Sequence, residues 1–348
     1  MKTLFISSIA FVIALLGSCG SSNSTTSDLF EIQLQDDKRE FQQHDEVKIS
    51  LKNKKNTSIE TISYFIDGEP ITLNNDVFTL DMQELGVKTI KAVINYDGEI
   101  GEITKEIRVL AKNSPEVYTY EIINEFPHDI NAFTQGLEFY KDTLYESTGK
   151  KGMSSLRKID FETGKILQQI NLEETYFGEG ITILNDKIYM LTWQSNIGFI
   201  YDTKTFEKVD SFKYGKSKEG WGLANDGEKL FKSDGSEKIW FLNPETLQEE
   251  GYIETVTNKS VFNKTNELEY ANGKIYANVW QKESMMIIDA KSGAIIGVIN
   301  FGGLKDKVTK HENLDVLNGI AYHKVRGTFF VTGKNWDTLF EVSILKKP

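Results

Sequence analysis

The chain has 348 residues and a formal net charge of −11, and no basic patch stands out to neutralise phosphates, so nucleic-acid binding is not expected. The single cysteine, Cys19, excludes a disulfide, and His44, His128, His311 and His323 show no HxH or HxxxH spacing, so no metal site or cofactor is expected. The length allows two domains, and 27 glycines against 5 prolines fit tight hairpin turns rather than a disordered chain.

Met1-Lys2 is a short basic start, and Leu4 to Leu16 is an apolar stretch too short to span a bilayer comfortably. It ends in Leu16-Gly17-Ser18-Cys19, a small-residue cleavage site directly before a cysteine, which resembles a bacterial lipobox. Residues 1–18 are therefore expected to be a lipoprotein signal peptide, with Cys19 the lipidated residue and 19–28 a flexible polar tether rich in Ser and Thr. Several acyl chains on one cysteine anchor stably where one does not. The expected partner is a membrane and the expected location the bacterial cell envelope, on a periplasmic or surface face. An ordinary secretory signal with a chance cysteine is the alternative.

Residues 29–112 read as short alternating strands, such as Phe30–Leu34, Val47–Leu51 and Thr89–Ile94, with turn signals at Asp67-Gly68 and Asp97-Gly98. This pattern predicts a small immunoglobulin-like β-sandwich. It carries no catalytic constellation and reads as a spacer, or else as a docking module. Ala111–Pro115 is the expected linker.

From there a motif recurs, starting at Gln135-Gly136-Leu137, Glu179-Gly180-Ile181, Trp221-Gly222-Leu223, Asn266-Glu267-Leu268 and Asn318-Gly319-Ile320, at spacings of 44, 42, 45 and 52 residues. Each copy opens a hairpin and is followed by a second one. Four short strands per repeat of this length predict an all-β, five-bladed β-propeller over 117–348, one blade per repeat. The last repeat lacks one strand, which Tyr118–Ile123 at the domain start is expected to supply, closing the ring and removing an open sheet edge.

The residue that opens each motif sits where the innermost strand begins, at one rim. A hairpin of about five residues out and five back returns to that rim about 14 positions later. Gln135, Glu179, Trp221, Asn266 and Asn318 are thus expected to meet Trp193, Asp234, Trp280 and Lys334, with Phe133 and Phe177 two residues before rim residues and Trp336 close by. An aromatic box holding few polar groups excludes water and raises the pKa of a carboxylate. Among the five rim residues only Glu179 can shuttle a proton, so it is the expected general acid/base. Packing of tryptophans between blades is the bland reading of the same positions.

The blocks Phe126–Leu137, Tyr176–Ile181, Leu191–Gln194, Glu219–Leu223, Asn266–Glu269, Ala277–Trp280, Leu317–Ala321 and Thr332–Lys334, in this order, resemble the plant-type glutaminyl-peptide cyclotransferases over residues 117 to 347. The resemblance implies a five-bladed propeller that converts the N-terminal glutamine of peptides to pyroglutamate and releases ammonia, with no catalytic zinc. It implies Glu179 as catalytic acid/base, and Phe133, Gln135, Phe177, Trp193, Trp221, Asn266, Trp280 and Lys334 as the substrate pocket. Two other functions fit the same rim. One is a non-catalytic ligand-binding propeller on a lipoprotein stalk. The other is a glycan-active propeller, which needs two facing carboxylates, Glu179 and Asp234.

Overall fold

The structure is a computed structural model that describes residues 25–347. It is all-β apart from the helical turn Thr26–Leu29 and two short 3-10 turns. The expected signal peptide and Cys19 lie outside the described residues, as does most of the expected tether. The end of that tether is ordered instead. Thr25, one of the tether's own hydroxyl residues, forms a capping box with Asp28, its N–H donating to Asp28 Oδ2 at 2.8 Å, which starts the turn Thr26–Leu29.

Residues 30–110 form two sheets. One is three-stranded: Phe30–Leu34, Glu46–Asn53, Val77–Thr79. The other runs Glu40–Gln42, Glu99–Leu110, Gly86–Tyr96, Ile59–Ile66, Glu69–Pro70. Asp67-Gly68 and Asp97-Gly98 have positive φ at both residues, 49° and 93°, then 48° and 76°. That mirror-image turn matches the twist of paired strands. Gly86–Tyr96 buries every second side chain, so Ile90 and Ile94 meet Ile32, Val47 and Ile49 in one core.

This core is not closed by its own residues. Val256, fully buried and far along the chain, is part of it, and Val261 and Ala294 pack against it. Ala111 N donates to Thr257 O at 3.1 Å and Leu85 N to Ser292 O at 3.0 Å. The expected linker is therefore pinned at its first residue, and the N-terminal region packs directly against the later part of the chain.

The rest of the chain forms five four-stranded antiparallel units. The first four are consecutive: Thr134–Asn171, Gly178–Lys213, Leu223–Glu254 and Thr265–Asn300. The fifth takes Leu317–His323, Thr328–Gly333 and Thr338–Lys346 from the end of the chain, and its outer strand, Glu116–Pro127, from the beginning. The strand expected from Tyr118–Ile123 thus pairs where the last repeat is short. It also pairs in parallel with Ile295–Asn300, which fuses the fourth and fifth units into one eight-stranded sheet.

The five innermost strands lie side by side in a closed order, the fifth beside the first. Glycine after the rim residue permits this. A Cβ at Gly180 would stand 2.6 Å from Leu223 N and 2.7 Å from the Gly222 Cα. Glu267 breaks the glycine pattern and sends its carboxylate across to accept Leu137 N at 3.2 Å and Ile320 N at 3.0 Å.

Candidate active site

Four innermost strands slip register where the motif begins: between Thr134 and Gly136, Gly178 and Ile181, Thr265 and Leu268, Leu317 and Ile320. A bulge takes its residue out of the ladder and re-aims its side chain. Gln135, Glu179, Asn266 and Asn318 are those residues. The second strands return to the same rim. Trp193 N donates to Phe177 O at 3.0 Å, Trp221 N to Ser233 O at 3.0 Å, and Lys334 N to Val316 O at 2.9 Å.

Phe133, Gln135, Phe177, Glu179, Trp193, Trp221, Asn266, Trp280 and Lys334 together line one cavity of about 200 Å³. That equals the liquid volume of about seven waters, room for one residue and not for a folded chain. One wall is Phe133, Phe177 and Trp193, in successive edge-to-face contacts at 6.2 and 5.5 Å. Trp221 and Trp280, 5.9 Å apart, form another. Glu219 joins the two walls: its Oε2 accepts the indole N–H of Trp193 and of Trp221, each at 2.8 Å, while its Oε1 accepts Gln194 Nε2 at 3.2 Å.

The polar floor is a chain of amides with one direction. Asn266 Nδ2 donates to Asn318 Oδ1 at 2.9 Å, Asn318 Nδ2 to Gln135 Oε1 at 3.2 Å, and Gln135 Nε2 to Glu179 Oε1 at 3.0 Å. Asn318 also donates to Thr134 O at 2.8 Å, which fixes its flip. Asn266 Oδ1 has no partner among the described residues and presents an acceptor to the cavity.

Glu179 is only 5% exposed. Burial pushes its pKa well above the carboxylate range; nearby Lys334 pulls it down and Glu219 pushes it further up. Lys334, equally buried, has its pKa lowered by burial, an effect that Glu179 and Asp315 oppose and Lys150 reinforces. Its ammonium lies 4.7 Å from the Phe133 ring centre and forms no ion pair or hydrogen bond among the described residues. An acid driven toward neutrality thus faces an amine driven the same way.

Three residues expected at or beside the rim do not line the cavity. Asn318 is fully buried, the middle link of the amide chain, and does not line the cavity itself. Asp234 turns away to accept Trp240 Nε1 at 2.8 Å and Ser236 N at 3.1 Å, while Trp221 packs on Gly235, where a Cβ would come within 2.6 Å of the indole. Trp336 is a core residue, 1% exposed, whose indole donates to Asp315 O at 3.1 Å. Two residues were missed. Glu219 stands two positions before its rim residue, the offset of Phe133 and Phe177, and that offset was its signal. Gly149 stands 14 after Gln135, and a Cβ there would collide with the Phe177 ring. No three His, Cys, Asp or Glu among the described residues gather closely enough to hold a metal ion.

Comparison with known proteins places the chain in one family. A family model described as glutamine cyclotransferase matches residues 98–344. The glutaminyl-peptide cyclotransferase of Arabidopsis thaliana is 41% identical over 241 residues, 66% of this chain and 73% of that protein. The crystal structure of Myxococcus xanthus glutaminyl cyclase aligns with a TM-score of 0.62 at 34% identity, over 67% of this chain and 100% of that one. The chain belongs to the glutamine cyclotransferase family.

Proposed function

We propose that this chain is a glutaminyl-peptide cyclotransferase that closes the N-terminal glutamine of peptides or proteins to pyroglutamate and releases ammonia. The observation that carries this is the buried carboxylate of Glu179 in a cavity the size of one residue, beside a buried and unpaired ammonium on Lys334. In the reaction the neutral α-amine attacks the γ-carboxamide carbon. The amine nitrogen loses a proton to Glu179, the carbon–nitrogen bond to the old amide breaks, and Glu179 returns the proton to the departing nitrogen as ammonia. A carboxyl group tuned toward neutrality suits both steps.

The amide chain divides the remaining roles. Lys334 donates to the carboxamide oxygen as it gains charge. Asn266, held by one N–H on Asn318, offers its oxygen to an N–H of the substrate. The aromatic walls pack on the glutamine methylenes and exclude water. Holding amine and carboxamide together is itself worth several kcal/mol.

The five units are in this reading the blades of a five-bladed propeller, residues 117–348, and residues 29–112 an immunoglobulin-like sandwich. The closed order of the inner strands supports the first and the shared core of two sheets the second. The lipobox-like sequence at Cys19 supports a lipid-anchored protein of the cell envelope, and the acid/base chemistry proposed for Glu179 is metal-independent. The glycan reading loses its second carboxylate, since Asp234 is bound to Trp240 and does not line the cavity.

The test is ammonia release from a Gln-initiated dipeptide amide, with the product followed by its mass loss of one ammonia. Turnover that persists through chelator treatment is expected. No release above the uncatalysed rate leaves a ligand-binding propeller as the better reading.

A further inference from the structure

Two lysines at repeat positions around the mouth are not used by the chemistry above. Two residues before the rim residues stand Phe133, Phe177, Glu219, Lys264 and Val316. Lys264 therefore holds the place from which Phe133 and Phe177 wall the cavity. One residue after the returning positions stand Lys150, Gln194, Gly235, Gln281 and Asn335, all with positive φ. Lys150 holds the place from which Gln194 reaches Glu219.

Both lysines also contact the cavity's aromatic walls. Lys150 Nζ lies 4.5 Å from the ring centre of Phe133, and Lys264 Nζ 5.3 Å from that of Trp280; both rings line the cavity. The backbone under each lysine is fixed. Lys264 N donates to Gly235 O at 2.9 Å and its carbonyl accepts Trp280 N at 3.0 Å. The Lys150 carbonyl accepts Met153 N at 3.0 Å and Ser154 Oγ at 2.8 Å. Neither ammonium has an ion-pair or hydrogen-bond partner among the described residues, although the chain as a whole carries −11.

The two lysines stand on the first and fourth units, on either side of Lys334 in the fifth. One flank of the mouth is thus basic, while Glu219 on the other has both oxygens occupied by indole and amide donors. A peptide whose first residue fills the cavity must leave through this mouth, and its second side chain follows within about 3.5 Å of backbone.

We propose that Lys150 and Lys264 form a subsite for a carboxylate on the second residue of the peptide substrate. The subsite rests on the cyclotransferase reading. It selects by charge rather than shape, because both side chains are long and keep their ammonium groups in water. Exposed charge pairs of this kind shift an equilibrium by up to about fivefold each, so a preference of about three- to tenfold follows from two.

The experiment compares kcat/KM for Gln-Glu-Ala amide and its neutral isostere Gln-Gln-Ala amide; the amidated end removes the other carboxylate that could bind. Wild type is expected to favour the Glu peptide about three- to tenfold, and about 0.5 M NaCl to erase most of that. The preference should vanish in the Lys150→Met, Lys264→Met double variant and persist in the corresponding Arg pair. Effects of the second residue on the substrate's own amine are the same for every enzyme form and cancel in the comparison. No preference in wild type, or one that survives the Met pair, overturns the subsite. Release of ammonia from both peptides at equal rates leaves the cyclotransferase reading standing; release from neither removes both.

Discussion

Gln135 donates its Nε2 to Glu179 Oε1 at 3.0 Å while Asn318 holds the other end of the same amide at 3.2 Å. The donor cannot turn round without breaking the bond beneath it, so Glu179 always receives an N–H on one oxygen and keeps the other for substrate. Glu179→Gln should fold and lose about 10² to 10⁴ in kcat on a Gln peptide. It also carries a stability signature. The pKa of Glu179 is raised above its ordinary 4.5, so the native state holds its proton longer than the unfolded chain does. The stability this brings is full below that ordinary value and is lost as pH rises through the folded pKa. Glu179→Gln should therefore raise Tm relative to wild type at about pH 8, and the gain should shrink toward about pH 4. A constant difference across pH would show that Glu179 is not held protonated.

Glu219 binds two indoles with one oxygen, and the shape of the cavity depends on it. Hydrogen bonds to a charged group contribute about 1.5 to 3 kcal/mol. Glu219→Ala frees Trp193 and Trp221 to rotate, and kcat/KM is expected to fall roughly ten- to hundredfold, mostly through KM. Tryptophan fluorescence should shift to the red as the indoles gain water. A pure kcat effect with unchanged fluorescence would instead make Glu219 a participant in proton transfer.

The site was legible where the repeat fixes backbone position. Counting along hairpins brings Trp193, Trp280 and Lys334 to the cavity because strand length and the period of two leave little freedom. It fails at Asp234 and Trp336, where side-chain direction decides. Asp234 follows a second strand of only four residues, Leu230–Ser233, and finds a nearer donor in Trp240. Asn318 reads as a rim residue yet is fully buried within the amide chain and does not line the cavity, because register says nothing of depth. In the fold, the closing strand Glu116–Pro127 was visible as a missing partner, but its parallel pairing with Ile295–Asn300 left no local mark. The docking of the N-terminal sheets was equally hidden, since Val256 lies far from Ile49 in sequence and its apolar neighbours fit an ordinary loop.

That docking is testable. Val256 is fully buried in a core whose other buried members all belong to residues 30–111. Deleting residues 1–112 would leave Val256, Val261 and Ala294 facing water. Val256→Asp places an unpaired charge at the same point and should cost about 3 kcal/mol or more. Both are expected to lower Tm and to leave kcat/KM on a short Gln peptide within about twofold, because the cavity is built by other loops. Full thermal stability in the deletion would show that the contact at Val256 contributes little to the fold.

Glu341 binds the two ends of the ring together. Its oxygens accept Arg326 Nε at 2.7 Å and Nη2 at 2.8 Å, Thr328 Oγ1 at 2.7 Å, and Asn124 Nδ2 at 2.7 Å from the strand supplied by the chain's beginning. Burial alone would raise its pKa, but these donors hold it down at about 2. A lowered carboxylate contributes stability that is present above its ordinary 4.5 and lost as pH falls toward about 2. Wild-type Tm should therefore drop steeply across that window. Glu341→Gln keeps the shape but gives up the charge, and leaves one bidentate guanidinium poorly matched. It should cost about 2 to 3 kcal/mol at neutral pH, a fall in Tm of roughly 4 to 12 °C, and should flatten the acid limb. Melting curves of both proteins between about pH 2 and 7 decide it. Parallel acid limbs would place the acid-sensitive joint elsewhere in the ring, the buried pair His128 and Glu146 being the next to examine.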